Sequence, residues 1–251
     1  MKLSPTLLSL LMSLSLLTCA ADAAADAALA GAPAVGKALQ GELDAAVLEY
    51  ESGRIDVARK AFERLSRLGS PAADYNLAAM HMRGEMPQPS TRLAQRLLER
   101  SARAGFVTAQ LMLGRALETG QLGRPNIAQA VDWYQLAAEA GSSEAQVEVA
   151  TALYLGRGRQ RDMGRAAHWF REAAKAGELG AMYLLASLYE QGEGVEQDLR
   201  LARYWYDVAA RNGDDAAPGK VKEIDARLAA GASTPTASPL PAPPRPATAR
   251  P

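Results

Sequence analysis

One stretch of the sequence occurs twice with small changes. Residues 152–177 read ALYLGRGRQRDMGRAAHWFREAAKAG, and residues 188–213 read LYEQGEGVEQDLRLARYWYDVAARNG, a shift of 36 positions. Glycine keeps the same step at Gly69, Gly105, Gly141, Gly177 and Gly213, and an aromatic pair keeps it at Trp133-Tyr134, Trp169-Phe170 and Trp205-Tyr206. Self-similarity at a fixed period of this length is the signature of a repeat architecture.

The apolar residues within each unit have the spacing of two amphipathic helices. In the second half of the unit they fall at i, i+3, i+4, i+7 and i+8, as Ala202, Trp205, Tyr206, Ala209 and Ala210. In the first half the corresponding face is formed by Ala181, Leu185, Leu188 and Tyr189. Each unit is therefore predicted to be a hairpin of a first helix, A, and a second helix, B.

Helix start and stop signals support this division. Each B helix is preceded by a residue whose side chain can accept a bond from a free backbone N–H, worth about 1 kcal/mol: Ser90, Asn126, Asp162 and Asp198. Each B helix is followed by a glycine, which the left-handed turn at a helix end favours: Gly105, Gly141, Gly177 and Gly213. One hairpin cannot bury its apolar face alone, so the hairpins are expected to stack around a shared core.

This pattern resembles the Sel1-like repeat, a relative of the tetratricopeptide repeat, in four copies over residues 72–213. The first copy departs from it, with Met86-Pro87-Gln88-Pro89 in its loop and no aromatic pair. Residues 42–71 resemble one hairpin of the shorter parent repeat, and residues 214–230, with Pro218 near their start, resemble a capping helix. The resemblance implies an all-α fold, a right-handed α-α superhelical solenoid.

Both ends of the chain differ in composition from the repeats. Residues 1–25 have the pattern of a secretory signal peptide: a positive start, eleven residues (Leu7–Leu17) too short to span a bilayer, and small residues for cleavage. Cys19 ends a segment similar to a lipoprotein signal and is the candidate lipidation site. Residues 26–41 are expected to be a linker, and residues 231–251, rich in proline and alanine, a disordered tail. A periplasmic or secreted protein, or an outer-membrane lipoprotein, is expected, without a transmembrane span in the mature chain.

The residues offer no assembled catalytic or metal site. The only cysteine lies in the signal region, and no serine-nucleophile motif occurs. His81 and His168 lie on different repeats, so a metal site is not expected, and both are interpreted as partly buried structural residues. Pairs of carboxylates such as Glu144 and Glu148 are ordinary on helix surfaces. Lys+Arg and Asp+Glu both total 28, so nothing indicates nucleic acid as a partner. A protein without cofactors that is not an enzyme is expected.

Two surfaces are candidates for partner binding. The A helices usually line the inner surface of such a solenoid, and the residues there that avoid the core columns include Tyr75, Arg115, Tyr154, Tyr183 and Glu190. Tyrosine offers a large contact area at little entropy cost. The second candidate is a stripe of like charges along one B helix, formed by Arg92, Arg96, Arg100 and Arg103. This Arg stripe suits an anionic partner.

The function expected is that of an exported, non-catalytic scaffold that binds a protein or peptide in its concave groove. The resemblance adds envelope assembly, exopolysaccharide secretion or signalling as settings. Two alternatives stay open: a module that binds glycan or envelope components through the Arg stripe and the tail, and a β-lactam-binding or hydrolysing enzyme. Because Trp169 is predicted to occupy a core position shared by two hairpins, its truncation to alanine is expected to cost about 3–5 kcal/mol.

Overall fold

The computed structural model describes residues 38–231, and within that range the chain forms eleven α-helices and no strand. The helices are α1 (38–51), α2 (Ile55–Arg67), α3 (Pro71–Arg83), α4 (Thr91–Arg103), α5 (Val107–Thr119), α6 (Ile127–Glu139), α7 (Ser143–Leu155), α8 (Met163–Lys175), α9 (Leu179–Gln191), α10 (Leu199–Arg211) and α11 (Ala217–Ala230). Helices α3, α5, α7 and α9 are the predicted A helices, and α4, α6, α8 and α10 are the B helices.

The regularity of the sequence is reproduced in the helices. Every helix from α2 to α10 has 13 residues. Within the hairpins α5–α6, α7–α8 and α9–α10 the two helices pack closely, and each B helix also packs on the A helix that follows it. Helix α11 packs on α10 as a further A helix would, and it lies within residues 214–230, where the sequence predicts a capping helix.

The predicted cap residues all cap the N-terminal ends of the B helices. Each cap side chain accepts a backbone N–H bond from the first turn, at 3.2 Å for Ser90, 3.1 Å for Asn126, 2.9 Å for Asp162 and 3.0 Å for Asp198. The glycine that follows each B helix has a positive φ, between 84° at Gly105 and 100° at Gly177. Such local bonds satisfy backbone groups that a helix end leaves free.

The loop of the first repeat uses a different bond from the other three. In repeats two to four the backbone N–H of the cap residue donates to a carbonyl of the A helix, at 2.8 Å from Asn126 to Leu117, 3.0 Å from Asp162 to Leu153 and 3.0 Å from Asp198 to Tyr189. In the first repeat the N–H of Ser90 donates instead to Nδ1 of the buried His81 ring, at 3.3 Å. His81 is thus a structural residue, as expected, that positions the start of α4.

The core combines many alanines with larger aliphatic side chains and with aromatic rings of the B helices. Tyr134 and Phe170 are 2% and 0% exposed, whereas Trp133 and Trp169 are only partly buried. The premise that Trp169 is a full core residue is therefore wrong, since the following residue fills that position. Trp205 differs, at 1% exposed, and lies on α10, against which α11 packs. His168 is also not buried as expected, because it lies on the exposed side of α8 with its ring 5.1 Å from that of Trp169.

The chain divides into two compact units, of which the first ends at Leu77 and the second begins at Ala78. In the first unit, α1 and α2 are consecutive helices joined by residues 52–54, and residues 38–41, which the sequence analysis assigned to a linker over 26–41, already belong to α1. In the same unit the hydroxyl of Ser66 donates to the buried carboxylate of Asp74 at 2.6 Å. The predicted signal peptide, Cys19 and the predicted tail beyond Gly231 lie outside the described residues.

Candidate functional site

The A helices of the second unit expose one continuous set of side chains, here called the A-helix face. These positions are at least partly exposed because the B helices cover the other sides of α5, α7 and α9. They are Thr108, Met112, Arg115 and Glu118 on α5, Glu144, Val147, Glu148, Thr151 and Tyr154 on α7, and Tyr183, Leu184 and Ser187 on α9. The face changes in character from one end to the other.

The part of the face between α5 and α7 is a network of ion pairs, here called the charged cluster: Arg115, Glu118, Glu144, Glu148 and Arg157. Arg115 Nη2 lies 2.6 Å from Glu144 Oε1 and 4.0 Å from Glu148 Oε1. Arg157 Nη2 lies 2.7 Å from Glu118 Oε1. These bonds tie neighbouring A helices to each other, and three carboxylates against two guanidinium groups leave the cluster one charge negative.

Burial and like charge act together inside this cluster. Burial raises the pKa of the Glu148 carboxyl, and the neighbouring Glu118 carboxylate raises it further. The phenol of Tyr134 is buried and donates to Glu118 Oε2 at 2.9 Å, and both effects raise its pKa. Desolvation and a nearby negative charge each disfavour an anion. The negative charge of Glu148 is therefore less favourable in this cluster than in water.

The part of the face between α7 and α9 is aromatic and apolar. Tyr154 packs edge-on against Phe170, with ring centroids 6.3 Å apart, and Tyr183 packs edge-on against Tyr206 at 5.0 Å. Both tyrosines are partly exposed, whereas the rings beneath them are buried. Each exposed tyrosine is thus held in place by the core, which lowers the entropy that it loses on contact with a partner.

Glu190 was expected to line the face, but it does not, because it is only 7% exposed. Its Oε2 accepts a bond from the Tyr206 hydroxyl at 2.9 Å, and its Oε1 accepts from Arg227 at 2.7 Å and from Lys220 at 3.4 Å. We call these four residues the terminal node. The node attaches α11 to the last repeat, so Glu190 is a structural residue of the C-terminal cap.

The charged cluster and the terminal node use the same register, which the sequence analysis missed. In both, a glutamate on helix A accepts from a tyrosine of helix B that lies 16 residues later: Glu118 with Tyr134, and Glu190 with Tyr206. Tyr154 and Phe170 occupy the same two positions in the repeat between them. The signal was available, because glutamate recurs at this position only where the aromatic core residue is a tyrosine.

Before the charged cluster, at the first repeat, the face contains an open cleft of about 340 Å³. Its apolar wall consists of Ala79, Met82 and Met112, and its polar wall of His81, Arg83, Thr91 and Gln121. The cleft was not predicted, since its lining comes from two repeats and from the loop after α5. Among the described residues it lies wholly within the second unit.

Of the remaining predicted residues, Arg115 lies on this face, and the Arg stripe lies on a B helix. All four residues of the Arg stripe are exposed on α4, as expected. Arg103 pairs with Glu99 at 2.8 Å, so part of that positive charge is compensated. Arg115 is exposed but belongs to the charged cluster, and Tyr75 is partly buried on α3.

Neither a cluster of metal ligands nor a membrane-spanning helix is found in the part of the chain that the structure describes. Over residues 38–231, no three His, Cys, Asp or Glu side chains come together as a metal-ion site would require. Within the same range, no helix combines the length and apolar character needed to cross a bilayer.

Comparison with known proteins agrees with this architecture. The model of the Sel1 repeat family matches residues 71–106, 107–142, 143–178 and 180–214, which is more than half of the chain. The chain belongs to the Sel1 repeat family. Sel1 repeat proteins have an all-α superhelical fold and are generally non-catalytic scaffolds for protein interaction.

Solved structures of the Sel1 repeat family resemble this chain to different degrees. A Sel1 repeat protein from Oxalobacter formigenes is 27% identical, with a TM-score of 0.65, over 75% of this chain and 76% of its own. A sel1 repeat protein from Klebsiella pneumoniae subsp. pneumoniae is 23% identical, with a TM-score of 0.46, over 74% of this chain and 93% of its own. A protective antigen of uropathogenic Escherichia coli with an SLR fold is 24% identical, with a TM-score of 0.42, over 68% of this chain and 44% of its own. No curated protein matches the chain.

Proposed function

We propose that this Sel1 repeat protein is an exported, non-catalytic scaffold that binds a protein or peptide partner on its A-helix face. Sel1 repeat proteins bind proteins, which supports the class of partner. The observation that carries the choice of surface is the pair of partly exposed tyrosines, Tyr154 and Tyr183, each packed on a buried aromatic ring.

The composition of the face suits a partner with both apolar and polar groups. Interfaces concentrate their binding energy in aromatic anchors, and preorganised anchors lose little entropy on binding. The charged cluster beside them is held by bonds between α5 and α7, so it offers carboxylates in a fixed arrangement. A partner would meet an apolar and an acidic region side by side.

The test is capture of partners by the purified full chain from an envelope fraction of the cells that produce it. The face is altered by Thr108→Arg with Thr151→Arg, which places two bulky cations on the A-helix face without touching the buried rings. The matched control is Leu136→Arg with Gln129→Arg on α6, where both side chains are exposed.

We expect the wild type and the α6 control to retain the same partner, and the A-helix variant to lose it. Circular dichroism of all three proteins checks that the helices are intact. Equal capture by the A-helix variant and the wild type would refute the proposed surface. Loss of the partner by the α6 control alone would assign binding to the B helices.

A second candidate function is binding of an anionic glycan or envelope component, and the exposure of the whole Arg stripe favours it. Surface charge attraction is screened by salt. Binding of an acidic polysaccharide that disappears in moderate salt and with Arg96→Glu plus Arg100→Glu would support this function. Binding that persists in that variant would exclude the stripe.

The proposed setting is the periplasm or the outside of the cell, reached through the signal peptide predicted over residues 1–25. Fractionation of producing cells, with Cys19→Ser as the variant that separates lipid attachment from simple export, tests it. An enzyme remains the third candidate, and hydrolysis of a β-lactam reporter by the purified protein would support it.

A further inference from the structure

The cleft at the first repeat corresponds, one repeat later, to the charged cluster. Both are formed where the end of one A helix meets the next A helix and the loop after it. Counting 36 residues forward, the positions of Ala79, Met82, Met112 and Gln121 in the cleft become Arg115, Glu118, Glu148 and Arg157 in the cluster. The same place in the repeat is therefore filled by ion pairs in one copy and left open in the other.

The sequence of the first repeat explains why its copy is open. Two uncharged side chains, Ala79 and Met82, stand where the next repeat has an arginine and a glutamate that form ion pairs. The B helix of the first repeat carries Leu98 where the next repeat has Tyr134. The first repeat therefore has no phenol to bond with the A-helix position that Glu118 occupies in the next repeat. His81, which also lines the cleft, holds the loop before α4 in place by accepting the Ser90 N–H. What remains is a cleft of about 340 Å³ that is lined by two methionines among polar residues.

We infer that this cleft holds an apolar side chain of a peptide segment whose neighbouring lysine or arginine binds the carboxylates of the charged cluster. The inference rests on the proposed function, because it specifies the partner of that surface. The volume suits one large aliphatic or aromatic side chain, and two methionines adapt to its shape. The charge of the cluster favours a cation, because the cluster has one negative charge more than its arginines compensate.

The two subsites are close enough for one short segment. Met112 in the cleft and Glu148 in the cluster lie on α5 and α7, neighbouring A helices whose axes are expected about 10 Å apart. An extended peptide rises about 3.3 Å per residue. The apolar and the basic residue are thus separated by about two to four positions. The raised pKa of Glu148 agrees with a site that gains from an added positive charge.

The test is selection of a random peptide display library on the immobilised full chain, followed by affinity measurement with the enriched synthetic peptides. The cleft is blocked by Gln121→Trp, at an exposed lining residue, with Arg124→Trp in the same loop as the matched control. The charge is altered by Glu144→Lys, with Glu139→Lys on α6 as the control for net charge.

We expect enriched peptides to share an apolar residue and a lysine or arginine at this spacing. Gln121→Trp should weaken them about thirtyfold, as loss of an anchor does, and Glu144→Lys about fivefold or more, with both controls near wild type. Enrichment of peptides without the pattern, or unchanged binding to both variants, overturns the inference and leaves the proposed function standing. If every enriched peptide also binds the Thr108→Arg, Thr151→Arg protein, or if no peptide is enriched, both the inference and the proposed function are overturned.

Discussion

Replacing Glu190 by alanine should destabilise the C-terminal end of the protein more than any exposed ion pair would. The side chain of Glu190 is 8% exposed and accepts bonds from Tyr206, Arg227 and Lys220. Loss of the acceptor leaves the hydroxyl of Tyr206, a residue 1% exposed, without its 2.9 Å bond. An unsatisfied buried group costs about 1–3 kcal/mol.

The two cations add less to this cost. Their side chains are 38% and 31% exposed for Arg227 and Lys220, so water can solvate them once the carboxylate is gone. Exposed ion pairs are worth about 0.2–1 kcal/mol each. We therefore expect Glu190→Ala to lower the free energy of unfolding by about 2–3 kcal/mol. Glu190→Gln, which keeps an acceptor for Tyr206, should cost about 1 kcal/mol.

Urea unfolding followed by circular dichroism measures the total, and hydrogen exchange locates it. In a repeat protein each unit is stabilised mainly by its neighbours, so α11 and α10 should lose amide protection in Glu190→Ala while α5 to α8 keep theirs. In a Tyr206→Phe background the hydroxyl is absent, so Glu190→Ala should cost about 1–2 kcal/mol less than in the wild type. Equal costs in the two backgrounds, or unchanged protection of α11, would refute the role given to this carboxylate.

Three further predictions concern the core, the charged cluster and a loop. Phe170→Ala should lower the free energy of unfolding by about 3–5 kcal/mol, because a fully buried ring is removed. Trp169→Ala should lower it clearly less. The reverse order in urea unfolding would mean that the buried face of the B helix is misassigned. Burial and Glu118 raise the pKa of Glu148, so the folded chain binds the carboxyl proton more tightly than the unfolded chain does. The free energy of unfolding should therefore fall as the pH rises from the ordinary carboxyl range towards neutral. Glu148→Gln should remove this fall and raise the free energy of unfolding by up to ~1 kcal/mol at neutral pH. A difference in free energy of unfolding between the two proteins that stays constant from acid to neutral pH would contradict this prediction. Gly194 has φ +71°, and an added Cβ would collide with the backbone of Met163, so Gly194→Ala should lower the thermal midpoint by several degrees, whereas the exposed Gly180→Ala should not.

Much of the fold could be predicted because it depends on local chemistry. The caps at Ser90, Asn126, Asp162 and Asp198 need only a short polar side chain and the backbone of the next turn, and all four form the expected bonds. The period of 36 residues then predicts the remaining hairpins from any one of them. Such features require no knowledge of distant residues.

The errors arise where burial depends on another repeat. Trp169 and Trp205 are equivalent in sequence, yet only Trp205 is fully buried, so position in the pattern does not determine exposure. Glu190 was expected to line an open surface, but Arg227, on α11, pairs with it and α11 helps to bury it. The cleft exists because the first repeat lacks the charged side chains that fill the same place in the next repeat. The sequence shows the difference in residue type, but only the structure shows that those charged residues fill this place.

We propose that the A helices, and not the B helices, present the partner-binding surface. A photo-crosslinking amino acid placed at Thr151 on α7, and in a second protein at the exposed Leu136 on α6, tests it inside producing cells. We expect a discrete protein adduct from position 151 and none from position 136. An adduct from position 136 with none from position 151 would contradict it.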